Sequence, residues 1–269
     1  MDPERPRNGV RDPGPPIEKL GVVVDMHGTL VKPIGGKSQA LLVYEQAESV
    51  IGKLPMSYRT LAFRTRALRL RLEEQLPENG RSGVAYWGLV NSQILGCDAG
   101  KAIEISRRLT TNPDLYEMPD DRRLFFTWLF EEKFPPDVAM LAIASNSDRK
   151  SVCALLEKIG MKKYFATDRI FTPETMNGAG KPSSMYFENV LRAMGIDAKQ
   201  AVDFGNSPFH DVPAARVGMD VVWFRDNEEV ISRSAIRKHL GAESMKLVHT
   251  VRRIEDARRI VDAKFVRMK

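Results

Sequence analysis

The sequence predicts a doubly wound parallel α/β sheet, interrupted after its first strand by a long helical insertion. Two observations predict it. Short valine- and alanine-rich runs alternate with amphipathic helical segments from residue 138 to 265, the pattern of strands buried on both faces and linked by crossover helices. A further run of the same kind, Leu20 to Asp25, is separated from them by a stretch from 38 to about 130 rich in Leu, Ala, Arg and Glu at helical spacing.

The elements follow in order. Residues 1–18 hold five prolines and two glycines without apolar periodicity and predict a flexible leader. LGVVVD, closed by the turn HGTL, predicts a buried parallel strand. A loop with Pro33, Gly35 and Gly36 follows, and core residues 19–35 give way to an insertion over 36–130. Within it YRTLAFRTRALRLRLEEQL, SGVAYWGLVNSQILG, AGKAIEISRRLT and DDRRLFFTWLFEEKF predict helices, the last stopped by Pro135-Pro136. No segment of the insertion predicts a strand. The core resumes over 131–269. VAMLAIAS (138–145) predicts a strand, DRKSVCALLEKIG a helix ended by Gly160, and RIFTP a short strand. SSMYFENVLRAMG predicts a helix, QAVDFG (200–205) a strand, DVPAARVGM a short helix and DVVWFRD a strand. LVHTV and RRIEDARRIVDAKF close the chain as strand and helix.

Composition bounds the function. The chain has 269 residues, 43% hydrophobic and 28% charged, which excludes disorder of the whole chain. No apolar run reaches the ~18 residues of a membrane span, and the start MDPERPRNGV has no apolar signal core. Cys97 and Cys153 are the only cysteines, too few for a disulfide scaffold or a four-cysteine zinc site. They read as reduced thiols of a cytoplasmic protein. Of the net charge of +6, much lies in Arg225 to Lys269, with twelve basic and seven acidic residues. No recognition helix or stacking platform accompanies that excess, so no nucleic-acid partner is expected. The five arginines of 58–76 read as a solvated helix face, and Met26, Tyr86 and Trp87 as packing residues.

In open α/β sheets ligands sit beyond the carboxyl ends of the strands. The residues there are Asp25-Met26-His27-Gly28-Thr29, Ser145-Asn146-Ser147, Gly180-Lys181-Pro182, and Gly205-Asn206-Ser207 running on to Asp211. One carboxylate, hydroxyls and amides, one ammonium and a second polar loop suit attack on a phosphoryl group. The carboxylate is the nucleophile, and the donors and a cation balance charge on the oxygens.

The order and flanks of these motifs resemble the haloacid dehalogenase-like (HAD) superfamily, a Rossmann-type fold. VVVDMHGTL resembles its first motif, LAIASNS its second, the lysine in RIFTPETMNGAGKPSSMYF its third and FGNSPFHDVPAARVGM its fourth. The insertion resembles the helical cap domain of such enzymes. The resemblance implies Asp25 as nucleophile and metal ligand, Ser145 and Lys181 as phosphoryl-binding catalytic groups, and Asn146 and Thr29 as substrate-binding support. It implies Mg2+ on Asp25, the backbone carbonyl of His27, Asn206 and Asp211.

Two positions depart from the pattern. His27 stands where the family's phosphatases carry an acid/base aspartate, and Asn206 where they carry a metal-binding acid. Imidazole can do acid/base work, and the same residue also fits a pocket that has lost its chemistry. Asp203, within a strand, reads as structural. The expected function is a magnesium-dependent phosphatase acting on a small phosphorylated substrate through an Asp25 phosphoenzyme. Two alternatives stand beside it: a catalytically impaired binding or assembly protein with a protein partner, and a metal-independent hydrolase like the 2-haloacid dehalogenases.

Overall fold

The structure, a computed structural model, describes residues 20–75, 83–136, 138–225 and 233–265. The expected leader lies outside them. The first strand, β1 (Leu20–Asp25), is buried along its whole length. The chain then forms a two-residue strand, β2 (Lys32–Pro33), and the helices α1 (Gln39–Ile51), α2 (Tyr58–Gln75), α3 (Gly83–Leu95) and α4 (Ala99–Thr111). Polar caps start two of them: Ser38 Oγ accepts from Leu41 N, and Asp98 from Lys101 N. The chain returns through β3 (Tyr116–Glu117), which pairs antiparallel with β2. That pair is a correction to the expectation of an insertion without strands. Two residues are too few to show a period of two.

Helix α5 (Asp120–Trp128) runs into a single π-turn, Leu129–Lys133, before Pro135. The sequence placed this helix inside the insertion. It packs on the sheet, with Phe125 5.9 Å from Phe204 and 6.0 Å from Phe224 between ring centroids. Then come β4 (Ala139–Ala144), α6 (Arg149–Lys158), β5 (Ile170–Phe171), α7 (Ser184–Met194), β6 (Ala201–Gly205) and β7 (Asp220–Phe224). A 3-10 helix, Val212–Val217, stands where a short helix was expected. The chain ends with α8 (Arg233–Leu240), β8 (Val248–Val251) and α9 (Ile254–Phe265).

Six strands form one sheet in the order β5-β4-β1-β6-β7-β8, and every pairing in it is parallel. Both faces are covered. Val22 and Val24 join a cluster that includes Phe125 and Phe126 of α5, Leu155 of α6 and Val261 of α9. Val23, between them, points to a second cluster with Phe187 of α7 and Ile236 of α8. This explains the unbroken apolar runs: each strand has to satisfy two cores. The chain moves from β1 to β4 and β5 on one side, then crosses to β6, β7 and β8 on the other. The carboxyl ends of β1, β4 and β6 therefore meet at the point where the strand order reverses, where a crevice opens.

Candidate active site

A cavity of about 560 Å³ lies over that crevice, with the strand ends as its floor and α2, α3 and α4 as its roof. The floor brings together Asp25, His27, Ser145, Lys181, Asn206 and Asp211, which are scattered over nearly two hundred residues of sequence.

Asp25 is the last residue of the central strand and is buried. Lys181 Nζ lies 2.5 Å from Asp25 Oδ1 and 2.6 Å from Asp211 Oδ1. One buried ammonium thus bridges two carboxylates. Burial works against its charge, and Asp211 and Asp25 outweigh that, raising the Lys181 pKa above its ordinary value. Burial, and then the charge of Asp25, pushes Asp211 up to about 6, so it stays ionised at neutral pH. The remaining oxygen of Asp211, Oδ2, accepts the backbone N–H groups of Asn206 and Ser207 at 3.0 and 2.8 Å. Asp211 therefore holds both the lysine and its own loop.

Backbone fit sets the rest of the floor. A Cβ on Gly205 would lie 2.2 Å from Asp211 Cβ, and one on Gly28, whose φ is +88°, would lie 2.0 Å from Asn206 Nδ2. Only glycine lets these loops approach so closely. Asn146, expected to help bind substrate, forms a two-way amide clamp with the lysine loop: its Nδ2 donates to the Lys181 carbonyl and its Oδ1 accepts from Lys181 N, each at 2.8 Å. Thr29, also expected there, is fully buried and donates to Asp25 Oδ2 at 3.1 Å. Ser145 ends β4 beside the cavity, and its Oγ accepts from Ser147 N at 3.2 Å.

His27 lies with its ring 4.7 Å from Tyr116, edge to face. Its Nδ1 is 3.5 Å from Ser147 Oγ, and its Nε2 is buried without a hydrogen-bond partner. Burial, and then the nearby Lys181 charge, lowers its pKa to about 4, so the imidazole is neutral at pH 7. Asn206 points across Gly28, with its Oδ1 3.5 Å from Thr29 Oγ1. Asp203 sits inside β6, and neither of its carboxyl oxygens has a partner. Burial first, then Asp211, pushes its pKa well above its ordinary value.

The roof supplies two residues expected elsewhere, Arg69 on a solvated face and Trp87 in packing, and two that the sequence did not single out, Asn91 and Ser106. Arg69 and Trp87 line the cavity, as do Asn91 and Ser106, whose side chains are hydrogen-bonded at 2.9 Å. Arg59, Arg64 and Arg71 are exposed, as a solvated helix face requires, whereas Arg69 turns inward. No spacing signal marks Arg69 among its neighbours, because what turns it inward lies on other elements. Met26 and Tyr86 are buried core residues, and both cysteines are free. No described helix is long and apolar enough to cross a membrane.

Comparisons with known proteins agree with this fold. The chain aligns over 91% of its length with a putative HAD-hydrolase from Bacillus subtilis bound to magnesium, at TM-score 0.64 and 16% identity, covering 99% of that chain. It aligns over 91% of its length with L-2-haloacid dehalogenase from Xanthobacter autotrophicus carrying covalently bound chloropropionic acid, at TM-score 0.60 and 16% identity, covering 99% of that chain. A HAD family hydrolase from Deinococcus radiodurans R1 with bound phosphate and sodium matches at TM-score 0.58 and 16% identity, over 92% of this chain and 96% of that one. At such identities the likeness is one of fold. No curated protein matches the sequence. The sequence model of the haloacid dehalogenase-like hydrolases matches residues 20–218; with the parallel sheet, this shows that the chain belongs to that family.

Proposed function

We propose that the protein hydrolyses a small phosphate monoester through Asp25, with α1 to α4 as the cap over the site. The observation that carries this reading is the Lys181 ammonium, held 2.5 Å from Asp25 and 2.6 Å from Asp211 at the cavity floor. It pairs with the carboxylate that acts as nucleophile and places positive charge where an anion must arrive. A carboxylate oxygen of Asp25 attacks phosphorus, the bond from phosphorus to the alcohol oxygen breaks, and the leaving alkoxide takes a proton from solvent water. Water then attacks the phosphorus of the acyl phosphate, giving inorganic phosphate and restoring the carboxylate. Ser145 and Lys181 hold the phosphoryl oxygens. His27 presents an unpartnered nitrogen that can take the proton of that water.

Magnesium fits this donor set in a reduced form. Asp25 and Asp211 each hydrogen-bond through both oxygens within the protein, and each carboxylate oxygen keeps a further lone pair. With the His27 carbonyl and Asn206 they offer oxygen donors that carry two negative charges, one fewer than an aspartate at 206 would give. Magnesium is commonly held by one or two carboxylates with substrate phosphate and water completing its shell. When bound, it supplies charge neutralisation at the phosphoryl oxygens.

One observation favours a second reading. An imidazole lowered to about 4 is a scarce proton donor at pH 7, and Asn206 removes an anionic ligand, so the site would bind phosphorylated compounds without turning them over. A third reading, carbon–halogen hydrolysis without metal, uses the same Asp25. Phosphate release from a panel of phosphate esters, with and without magnesium, and chloride release from 2-chloropropionate separate the three. We expect phosphate release that falls by about 10⁴ or more in Asp25→Asn. Release that survives that substitution would remove Asp25 as the nucleophile.

A further inference from the structure

The roof carries a cation that no carboxylate neutralises among the described residues. Arg69 of α2 is half-buried at the cavity, with its guanidinium carbon 5.1 Å from the centre of the Trp87 ring and 5.5 Å from that of Phe209. Trp87 comes from α3, and Phe209 from the loop that carries Asn206 and Asp211. Trp87 also meets His210, with ring centroids 6.4 Å apart. The arginine is thereby fixed by aromatic contacts across the gap between roof and floor. Its Nε is buried and has no hydrogen-bond partner. The two carboxylates that line the cavity cannot serve it, since Lys181 spans both. Its helix neighbours behave differently: Arg71 reaches Gln93, Arg59 reaches the Tyr58 hydroxyl, and both are exposed.

A guanidinium is a planar fork of five N–H donors, shaped for the two oxygens of a carboxylate or phosphate. Aromatic contact covers its apolar faces and leaves the donor edge. A buried cation with an unmet donor is costly until an anion arrives. Arginine held by rings also loses little further freedom on binding. The cavity, at about 560 Å³, has room for a small molecule that touches floor and roof together.

We propose that Arg69 is a specificity-determining residue that binds a second anionic group of the substrate, so that the site takes small phosphate esters carrying a carboxylate or a further phosphate. This rests on the reading of the floor as a phosphoryl site. The floor binds the phosphoryl group at Lys181 and Ser145, and the roof reads what lies at the other end.

Non-hydrolysable phosphonates test this by equilibrium binding, independently of turnover. The full-length protein is titrated with methylphosphonate, phosphonoacetate, 2-carboxyethylphosphonate and methylenediphosphonate, with and without magnesium. We expect the best doubly anionic probe to bind about 10- to 100-fold more tightly than methylphosphonate, the worth of a charge-assisted hydrogen-bond pair. The two carboxylates set against the diphosphonate show which second group is read. Arg69→Met should bring that ratio close to one. Arg69→Lys, which keeps stem and charge but loses the fork, should fall between and covers the case in which the methionine variant misfolds. Arg64→Met, on the exposed side of the same helix, should keep the wild-type ratio. Binding of methylphosphonate with a ratio near one in the wild type would overturn the role of Arg69 alone, as would a ratio unchanged in Arg69→Met. Failure of every phosphonate to bind would overturn the phosphoryl reading of the floor and this inference with it. A clear ratio in a protein that releases no phosphate would uphold Arg69 and reject only the hydrolytic step.

Discussion

The floor and the roof of the cavity are built by different means. Floor side chains are locked by the backbone: Asp211 accepts two main-chain N–H groups, Asn146 clamps the main chain of Lys181 from both sides, and Gly205 and Gly28 leave no space for a Cβ. Roof side chains are held by side chains of other elements, as with Arg69 against Trp87 and Phe209, or Asn91 on Ser106. Main-chain locking ties a residue to its immediate sequence, so the floor appears as short motifs. Side-chain locking ties a residue to partners far along the chain, and a roof can change its preference without any motif changing.

The contrast can be broken most forcefully at Lys181. Lys181→Met should cost about 3–5 kcal/mol of stability at pH 8, because it leaves two carboxylates buried with no counter-charge. Urea unfolding measures it, and a loss below about 1 kcal/mol would mean that the floor is held without its central ion. The second effect is one of pH. The unfolded His27 imidazole takes its proton near 6.5, and the folded one only near 4. His27 therefore withdraws stability as pH falls between those values. Asp211 acts in the opposite sense: its folded carboxyl takes a proton near 6, its unfolded one near 3.8, and it adds stability over that fall. Comparing the metal-free wild type with His27→Gln cancels Asp211 and isolates the histidine. The variant should gain on the wild type as pH falls from about 6.5 to about 4, by up to about 3 kcal/mol. Parallel curves would show that His27 is not held neutral by burial.

The smallest effect sharpens the comparison with one glycine from each side. Gly205→Ala drives a Cβ to 2.2 Å from Asp211 Cβ and should cost about 1–3 kcal/mol. Gly88, in α3, would place its Cβ 2.9 Å from Ile103 Cγ1, a side-chain atom that can move. Alanine is also favoured over glycine by about 1 kcal/mol in a helix, so Gly88→Ala should come out within about 1 kcal/mol of wild type. Thermal unfolding of both variants decides it, and equal losses would erase the distinction between main-chain and side-chain locking.

The parallel sheet was legible because strands buried on both faces leave continuous apolar runs, such as VVVD and AMLAIA, and because the runs of β1, β4 and β6 lead into polar residues, Asp25, Ser145 and Asn206, that line the crevice. Less legible was whatever depends on a partner distant in sequence. Phe125 and Phe126 look like part of the insertion until Phe204 and Phe224 are seen beneath them. Asn146 reads as a substrate ligand until its amide meets the Lys181 backbone. Arg69 is indistinguishable in sequence from Arg64 and Arg71, since helical period alone cannot say which arginine will find two rings.

The antiparallel pair of Lys32–Pro33 with Tyr116–Glu117 has a wider consequence. The strand that carries the chain away from Asp25 lies hydrogen-bonded beside the strand that brings it back. Everything between them, residues 34–115, is an excursion whose two ends already touch. Its length can grow or shrink while the distance between the two strands stays the same, and a tight turn would join the pair on its own. The four helices are in that sense a removable cassette: recombination or design could exchange them for another set of elements, leaving Asp25 where it stands.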